Sequence, residues 1–288
     1  MSMAEQWIAF MTIVRKEIKR YLRIWTQTLL PSAITMSLYF VIFGRLIGSR
    51  IGEMGGFTYM QFVVPGLIMM AIVTNSYSNV VSSFFGSKFN HSVEELLVSP
   101  VSNYVILMGY VVGGVTRGLL VAIVVTIVSL FFTELHIHSY FVVIVVVLMT
   151  STLFALAGFI NAVFANSFDD ISIVPTFVLT PLIYLGGVFY SMDLLPDFWA
   201  GVSKLNPLVY VVNAFRYGVL GVSDVSLPVA FGMIVLFTAL AFAFSRSPAL
   251  TSGTPTNSPG WMPAASRWRQ WAVCWFPPAA RTWWNRNP

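Results

Sequence analysis

The sequence predicts an all-α integral membrane protein with six transmembrane helices. Apolar residues make up 57% of the 288 residues and charged residues only 9%, whereas soluble domains carry roughly 25% charged residues. The apolar residues also form separate runs, and a helix needs about 20 of them to cross a bilayer. A single soluble domain is therefore excluded. The net charge of +5 is interpreted as an orientation signal beside apolar runs, so no nucleic-acid partner is expected.

Residues 1–26 predict an amphipathic helix in the membrane interface and lack the pattern of a signal peptide. Apolar residues recur at three- and four-residue intervals from Trp7 to Trp25, which places them on one helical face at about 100° per residue. The opposite face carries the basic residues Arg15, Lys16, Lys19, Arg20 and Arg23. Such a basic face is expected to contact the anionic headgroups of the lipid bilayer.

Six apolar runs are predicted to span the membrane within a domain of residues 27–245. The predicted spans are residues 28–47, 59–81, 104–132, 140–165, 171–190 and 227–245. Basic residues favour the side of the N-terminus, which predicts that both termini are cytoplasmic. The third span exceeds a hydrocarbon core of about 30 Å. Arg117 within it is interpreted as reaching the headgroups, with a substrate contact as the alternative.

Three prolines are candidate bending points in the predicted spans: Pro65, Pro175 and Pro181. Proline removes a backbone donor and kinks a helix, and membrane helices tolerate this where neighbours satisfy the freed carbonyl.

The segment from Ser82 to Asn103 is the one sizeable inner connection between predicted spans. It combines apolar residues with the charged residues Lys88, Glu94 and Glu95, and we expect a short helix closed by Pro100. Because the segment is longer than two adjacent helices need, two interpretations remain open. It is either an interfacial connector or a docking surface for a soluble subunit.

Motifs for phosphate binding and catalysis are absent from the sequence. There is no G-x-x-x-x-G-K-[ST] loop, and His136 and His138 lack a third metal ligand, so solvated histidines are expected. Asp169 and Asp170 are expected to cap the following helix. The predicted spans also lack the acidic residues typical of proton-coupled transport. A transporter of this kind needs energy from a partner or conducts passively, and no catalytic residue, metal or cofactor is expected on this chain.

Residues 246–288 form an atypical tail. The part from Ser247 holds six of the nine tryptophans and seven of the fifteen prolines, without helical periodicity. Two interpretations remain: an aromatic, basic tail on the inner leaflet, or a shifted reading frame after the last span. Resequencing across Phe244 to Pro248 distinguishes them. Cys274 is the single cysteine, so no internal disulfide forms.

The stretch "LTPLIYLGGVFYSMDLLPDFWAGVSKLNPLVYVVNAFRYG" resembles the signature of ABC-2 type transporter permeases. The matching positions are Leu179, Leu182, Leu185, Gly186, Val188, Leu195, Pro196, Pro207, Leu208, Tyr210 and Arg216. Gly187 lies in the same block. "YMQFVVPGLIMM" and "VEELLVSPVS" extend the resemblance, which covers the chain up to about Ser245.

The resemblance implies six transmembrane helices preceded by an interfacial helix, with short re-entrant helices on the outer side between the fifth and sixth spans. It also implies a permease homodimer with two separate ATP-binding subunits, which hold ATP and Mg²⁺. The inner loop would dock on these subunits, with a second contact in the next inner loop. The coupling residues expected from this are Lys88, Phe89, Glu94, Glu95, Phe168, Asp169 and Asp170.

The expected function is that of the permease subunit of an ABC exporter in a bacterial inner membrane. A self-contained secondary transporter and a membrane assembly protein are the alternatives. Within the segment Asn206–Gly218, Asn206 is expected to cap a short helix with Pro207 at its first position. Tyr210 and Arg216 are expected to reach outer headgroups or water.

Overall fold

The computed structural model describes residues 2–135 and 137–245. The tail 246–288 and His136 therefore lie outside the described residues, as does the side chain of Glu94.

The described chain is almost entirely helical, as the composition predicts. The α-helices are α1 (Met3–Arg23), α2 (Trp25–Thr28), α3 (Leu30–Tyr39), α4 (Gly48–Ile51), α5 (Tyr59–Phe89), α6 (Ser92–Val98), α7 (Asn103–Leu130), α8 (Tyr140–Phe164), α9 (Phe168–Val174), α10 (Thr180–Tyr184), α11 (Asp197–Ser203), α12 (Pro207–Leu220) and α13 (Leu227–Ser245). Two π-helical segments (Phe40–Ile47 and Pro175–Leu179), one 3₁₀ turn (Met192–Leu194) and a small antiparallel hairpin of β1 (Glu53–Met54) and β2 (Phe57–Thr58) complete the described elements.

Five helices among the described residues are long and apolar enough to cross a membrane. They are Trp25–Gly44, Tyr59–Phe89, Asn103–Leu130, Tyr140–Phe164 and Leu227–Ser245.

The fifth predicted span, residues 171–190, does not form one long helix. Its helical part runs from Phe168 to Tyr184 and changes to π-helical geometry in the middle. The chain then turns where Gly187 adopts a φ of 71°, a conformation that costs glycine least. The helix therefore ends six residues earlier than the apolar run predicts.

The second predicted span is longer than expected. Helix α5 continues past Val81 to Phe89. The first part of the predicted inner loop therefore belongs to this helix. Phe84 is buried there, with its ring 4.5 Å from that of Phe159. The helix ends only at the turn before α6, where His91 adopts a left-handed φ of 57°.

Helix α5 lies at the centre of the bundle and packs on α7, α8 and α12. Glycines allow the close approach: a Cβ at Gly158 of α8 would lie 2.6 Å from the backbone oxygen of Tyr77 on α5. Membrane helices commonly use small residues in this way, because burial against lipid gives no driving force for association.

Helix α1 packs against α7 through a face that differs from the predicted one. Its buried residues are Ile13, Val14, Glu17 and Tyr21, whereas Trp7 is 60% exposed. The predicted basic residues are exposed except Arg20, whose side chain turns towards α5. The apolar periodicity correctly predicted a helix here. It did not predict that an acidic residue lies in the buried face of this helix.

Two ends of the bundle carry the candidate functional residues. The α6 end contains the ends of α5 and α8, helix α6 and the start of α9. The α12 end contains the starts of α5 and α8 and helix α12, whose Gly218 and Val219 carbonyls accept hydrogen bonds from Ser139 and His138.

Candidate functional site

The α6 end brings together the two segments that the sequence predicts as coupling contacts. The ring of Phe89, at the end of α5, lies 4.9 Å from the ring of Phe168, at the start of α9. Phe85 supports Phe168 edge-on at 5.0 Å. Phe89 and Phe168 remain 58% and 55% exposed, so the pair presents an apolar contact surface. We call it the aromatic pair.

Lys88 holds this end together instead of projecting from it. Its Nζ donates hydrogen bonds to the carbonyl oxygens of Val163, at 2.8 Å, and Ala165, at 2.6 Å. These carbonyls lie at the end of α8, where a cation is favoured by the unsatisfied carbonyls and the helix dipole. Lys88 therefore fastens α5 to the connection between α8 and α9.

Asp170 caps the start of α9, as predicted. Its carboxylate accepts hydrogen bonds from the backbone N–H groups of Asn166 (2.9 Å) and Ser167 (3.1 Å), while the Ser167 hydroxyl accepts one from the Asp170 N–H. The bond from Asn166 contributes most to holding the pKa of Asp170 below its usual value, and the bonds with Ser167 act in the same direction. Asp169 is exposed beside it.

Helix α6 is fixed at both ends and presents Glu95 to the outside. Val93 is buried against α5 and its neighbours, while Glu95 is exposed. After α6, the Gln6 side chain donates to the Pro100 carbonyl at 3.2 Å and accepts from the Ser102 N–H at 3.1 Å. The N-terminal helix is therefore bonded directly to the inner loop.

Helix α1 also contacts α5 directly, which the sequence did not predict. The Ser83 hydroxyl donates to Glu17 at 2.6 Å, and Arg20 donates to the side-chain and backbone oxygens of Asn79 at 2.9 and 3.0 Å. Glu17 is fully buried and pairs with Arg20 at 3.2 Å. The sequence signal that could have predicted this contact is an acidic residue between apolar positions of an amphipathic helix.

At the α12 end, Asn206 and Pro207 begin α12 as predicted. The Asn206 side chain accepts a hydrogen bond from the Leu208 N–H at 3.0 Å, and Pro207 is the first residue of the helix. The prediction that Tyr210 reaches outer headgroups or water is wrong. Its side chain is only 7% exposed, and its hydroxyl donates to the Lys204 carbonyl at 2.6 Å. This side chain closes a local turn and does not reach towards headgroups.

Arg216 also contradicts its prediction, because its side chain is fully buried. Its Nη2 donates to the Gly187 carbonyl at 2.7 Å, its guanidinium lies 3.9 Å from the centre of the Phe62 ring, and its Nη1 lies 3.9 Å from the Asp224 carboxylate. These partners provide the compensation that a buried charge requires. Arg216 therefore joins α12 to the turn after α10 and to α5.

Asp224 extends this polar network. It accepts a hydrogen bond from the Met192 N–H at 2.8 Å, and its own N–H donates to the Asn213 side chain at 3.1 Å. Gly186 packs closely here, since a Cβ would lie 2.9 Å from Leu208. Leu195 and Pro196 lie in the turn before α11, outside this network. We call Arg216, Asp224, Asn213 and the Gly187 carbonyl the cap network.

The three predicted bending points differ in their surroundings. Pro65 is buried inside α5, which stays helical through it. Pro175 begins the second π-helical segment, and Pro181 lies at the start of α10. Of these three prolines, Pro175 and Pro181 therefore lie at irregular helical geometry, which proline commonly accompanies where a helix kinks, and Pro65 does not.

The apolar helices, the basic N-terminal helix and the buried polar cap together define a polytopic helical membrane protein. The family model "ABC-2 type transporter" matches residues 8–220, so the chain belongs to the ABC-2 type transporter family. It is 62% identical over 231 residues to "Inner membrane transport permease YadH" of Escherichia coli (strain K12), covering 80% of this chain and 90% of that protein. It is 23% identical over 242 residues to "Nodulation protein J" of Neorhizobium galegae, covering 83% and 90%.

These findings confirm the family predicted from the signature. The chain is a membrane transport permease with several apolar helices, and its similarity to an inner membrane permease supports a multi-pass inner-membrane protein. Family membership implies the membrane subunit of an ABC transporter.

Proposed function

We propose that this chain is the permease subunit of an ABC exporter, which moves its substrate outward with energy from a separate ATP-binding subunit. The observation that carries the proposal is the aromatic pair at the α6 end. Two connections predicted to contact an ATPase meet there, and both rings of the pair are exposed. Exposed apolar groups near charged residues such as Glu95 and Asp169 suit a protein partner.

Movement of a docked subunit would reach the membrane helices through the bonds at this end. Lys88 joins α5 to the end of α8, and Gln6 joins α1 to the loop after α6. ATP and Mg²⁺ would bind to the partner, whose closure provides the differential affinity that a conformational change requires. The permease itself is then neither an enzyme nor the holder of a cofactor.

The proposed topology has six spans, with Phe168–Tyr184 as the fifth and both termini in the cytoplasm. Helices α11 and α12 are then re-entrant helices on the outer side. In support, α12 has only 14 residues, fewer than the roughly 17 that a span requires. Eleven of its residues are buried, and backbone that enters the membrane without crossing it is tolerated only against protein or a wet cavity.

A homodimer is the proposed assembly. Two membrane segments expose large apolar side chains: Ile34 and Leu38 of α3 are 52% and 58% exposed, and Phe177 of the second π-helical segment is 73% exposed. A second copy would cover part of this surface. A groove of about 270 Å³ between α5 and α9 is lined by hydroxyls, including those of Ser172 and Thr176. Apolar and hydroxyl groups together suit an amphipathic substrate that moves along the dimer interface.

Affinity purification of the tagged chain from its native membrane tests the proposal. We expect an ATP-binding subunit with a G-x-x-x-x-G-K-[ST] loop in equal stoichiometry. The permease alone, reconstituted in liposomes, should not transport along an ion gradient. Recovery of the chain without any ATPase would contradict the proposal. Gradient-driven transport by the chain alone would indicate a secondary transporter, and neither activity would indicate an assembly protein.

A further inference from the structure

Arg117 is a cation in the middle of a membrane helix. Helix α7 runs from Asn103 to Leu130, which places Arg117 about 20 Å from either end at 1.5 Å per residue. If a hydrocarbon core of about 30 Å begins at Leu130, Arg117 lies about 10 Å inside the opposite boundary. The side chain is directed to α5, which does not support the interpretation that it reaches the headgroups.

The contacts of Arg117 orient its guanidinium, and most of its donors have no hydrogen-bond partner among the described residues. Its Nη2 donates to the Asn75 side-chain oxygen at 3.0 Å, and the Asn75 amide donates to the Ser32 hydroxyl at 3.0 Å. The Arg117 Nε is buried without a partner among the described residues. A guanidinium has five N–H donors, and this is its only hydrogen bond to a described residue.

The charge of Arg117 is also uncompensated within the described chain. No described carboxylate lies within 4 Å of it, since the ion pairs found there join Arg20 to Glu17 and Arg216 to Asp224. Arg20 binds Asn79, one helical turn from Asn75 on the same face of α5. Glu17 neutralises Arg20, so one positive charge remains. An unpaired charge at this depth is costly, and such residues commonly mark ligand sites.

We propose that Arg117 binds the phosphate headgroup of an anionic amphiphile, with Asn75 and Ser32 as positioning residues. A guanidinium matches phosphate oxygens with paired donors. The site is partly open, because Arg117 is half-buried, and α3 beside it presents the exposed apolar residue Leu30 for an acyl chain. The amphiphile is either a phospholipid whose headgroup leaves the inner leaflet and enters the protein at this depth, or a transported molecule of the same chemistry. The inference does not depend on the proposed function.

Native mass spectrometry of the delipidated full-length chain tests this with four probes: phosphatidylglycerol, diacylglycerol with the same acyl chains, oleate and inorganic phosphate. We expect one tightly bound phosphatidylglycerol, and binding at least about tenfold weaker in Arg117→Gln. Arg50→Gln, which removes an exposed charge of α4, is the matched control and should bind like the wild type.

Asn75→Asp separates ligand binding from folding, because it gives Arg117 an internal carboxylate at nearly constant shape. We expect this variant to remain folded without lipid and to lose phosphatidylglycerol binding. Unchanged binding in both Arg117→Gln and Asn75→Asp would overturn the proposal. Equal binding of diacylglycerol or oleate would overturn the phosphate assignment, and binding of inorganic phosphate alone would overturn the amphiphile. Once binding is established, ATP-driven movement of the phospholipid in liposomes that hold the chain together with its ATP-binding subunit would identify it as cargo, and its retention would identify it as a bound membrane lipid.

Discussion

The Arg216→Met substitution should strongly destabilise the α12 end. It removes the bond to the Gly187 carbonyl at 2.7 Å and the contact with the Phe62 ring at 3.9 Å, and it leaves Asp224 without its cation. A hydrogen bond to a charged group contributes about 1.5–3 kcal/mol, and a desolvated cation–π contact about 2 kcal/mol. Methionine is spared the desolvation cost of the guanidinium, so we expect a net loss of about 3 kcal/mol.

Thermal unfolding of the purified protein, followed by size-exclusion chromatography in detergent, measures this loss. At about 2–4 °C per kcal/mol for a domain of this size, Tm should fall by about 6–12 °C. Arg15→Met removes an exposed arginine and should leave Tm within about 1 °C of the wild type. If Arg216→Met unfolds at the same temperature as Arg15→Met, the cap network does not stabilise this end and the reasoning is refuted.

The other predictions concern the α6 end. Lys88→Met should lower Tm, since the carbonyls of Val163 and Ala165 lose the ammonium that donates to them, at a cost of about 2–4 kcal/mol; an unchanged Tm would contradict that role. Asp170→Asn should weaken the cap of α9 by about 1 kcal/mol at pH 7. Because the folded-state pKa of Asp170 is depressed, the wild type keeps this advantage above about pH 4 and loses it as the pH falls through the folded-state pKa, so a difference that does not decrease between pH 7 and pH 3 would refute the assignment. Replacing Glu94 and Glu95 together by Lys should abolish ATP-driven transport while membrane insertion is kept; normal ATPase co-purification and turnover would show that α6 is not the coupling element.

The sequence was sufficient for the membrane class, because apolar runs of span length are a direct consequence of bilayer thickness. It was also sufficient for the caps at Asn206 and Asp170, where the residue type alone determines the local hydrogen bonds. Element ends were less predictable. Nothing near Val81 opposes a helix, and α5 ends eight residues later at a turn with left-handed His91.

The polar interior was the least predictable part. Arg216 was expected at headgroups because a charged residue in an apolar segment is costly unless it reaches water. Its partners come from residues 62, 187 and 224, and only the tertiary fold brings them together. The Glu17 contact with Ser83 and the Arg117 contact with Asn75 could not be predicted for the same reason.

Photo-crosslinking in native membranes tests the central claim most directly. Phe89 and Phe168 of the aromatic pair are replaced one at a time by p-benzoylphenylalanine, a phenylalanine analogue that tolerates exposed positions. Phe198 of α11 is 73% exposed and provides the control. We expect the first two positions to crosslink an ATP-binding subunit in an ATP-dependent manner, and position 198 not to crosslink it. Equal crosslinking at all three positions, or crosslinks to lipid alone at Phe89 and Phe168, would contradict the claim that this end couples ATP hydrolysis to transport.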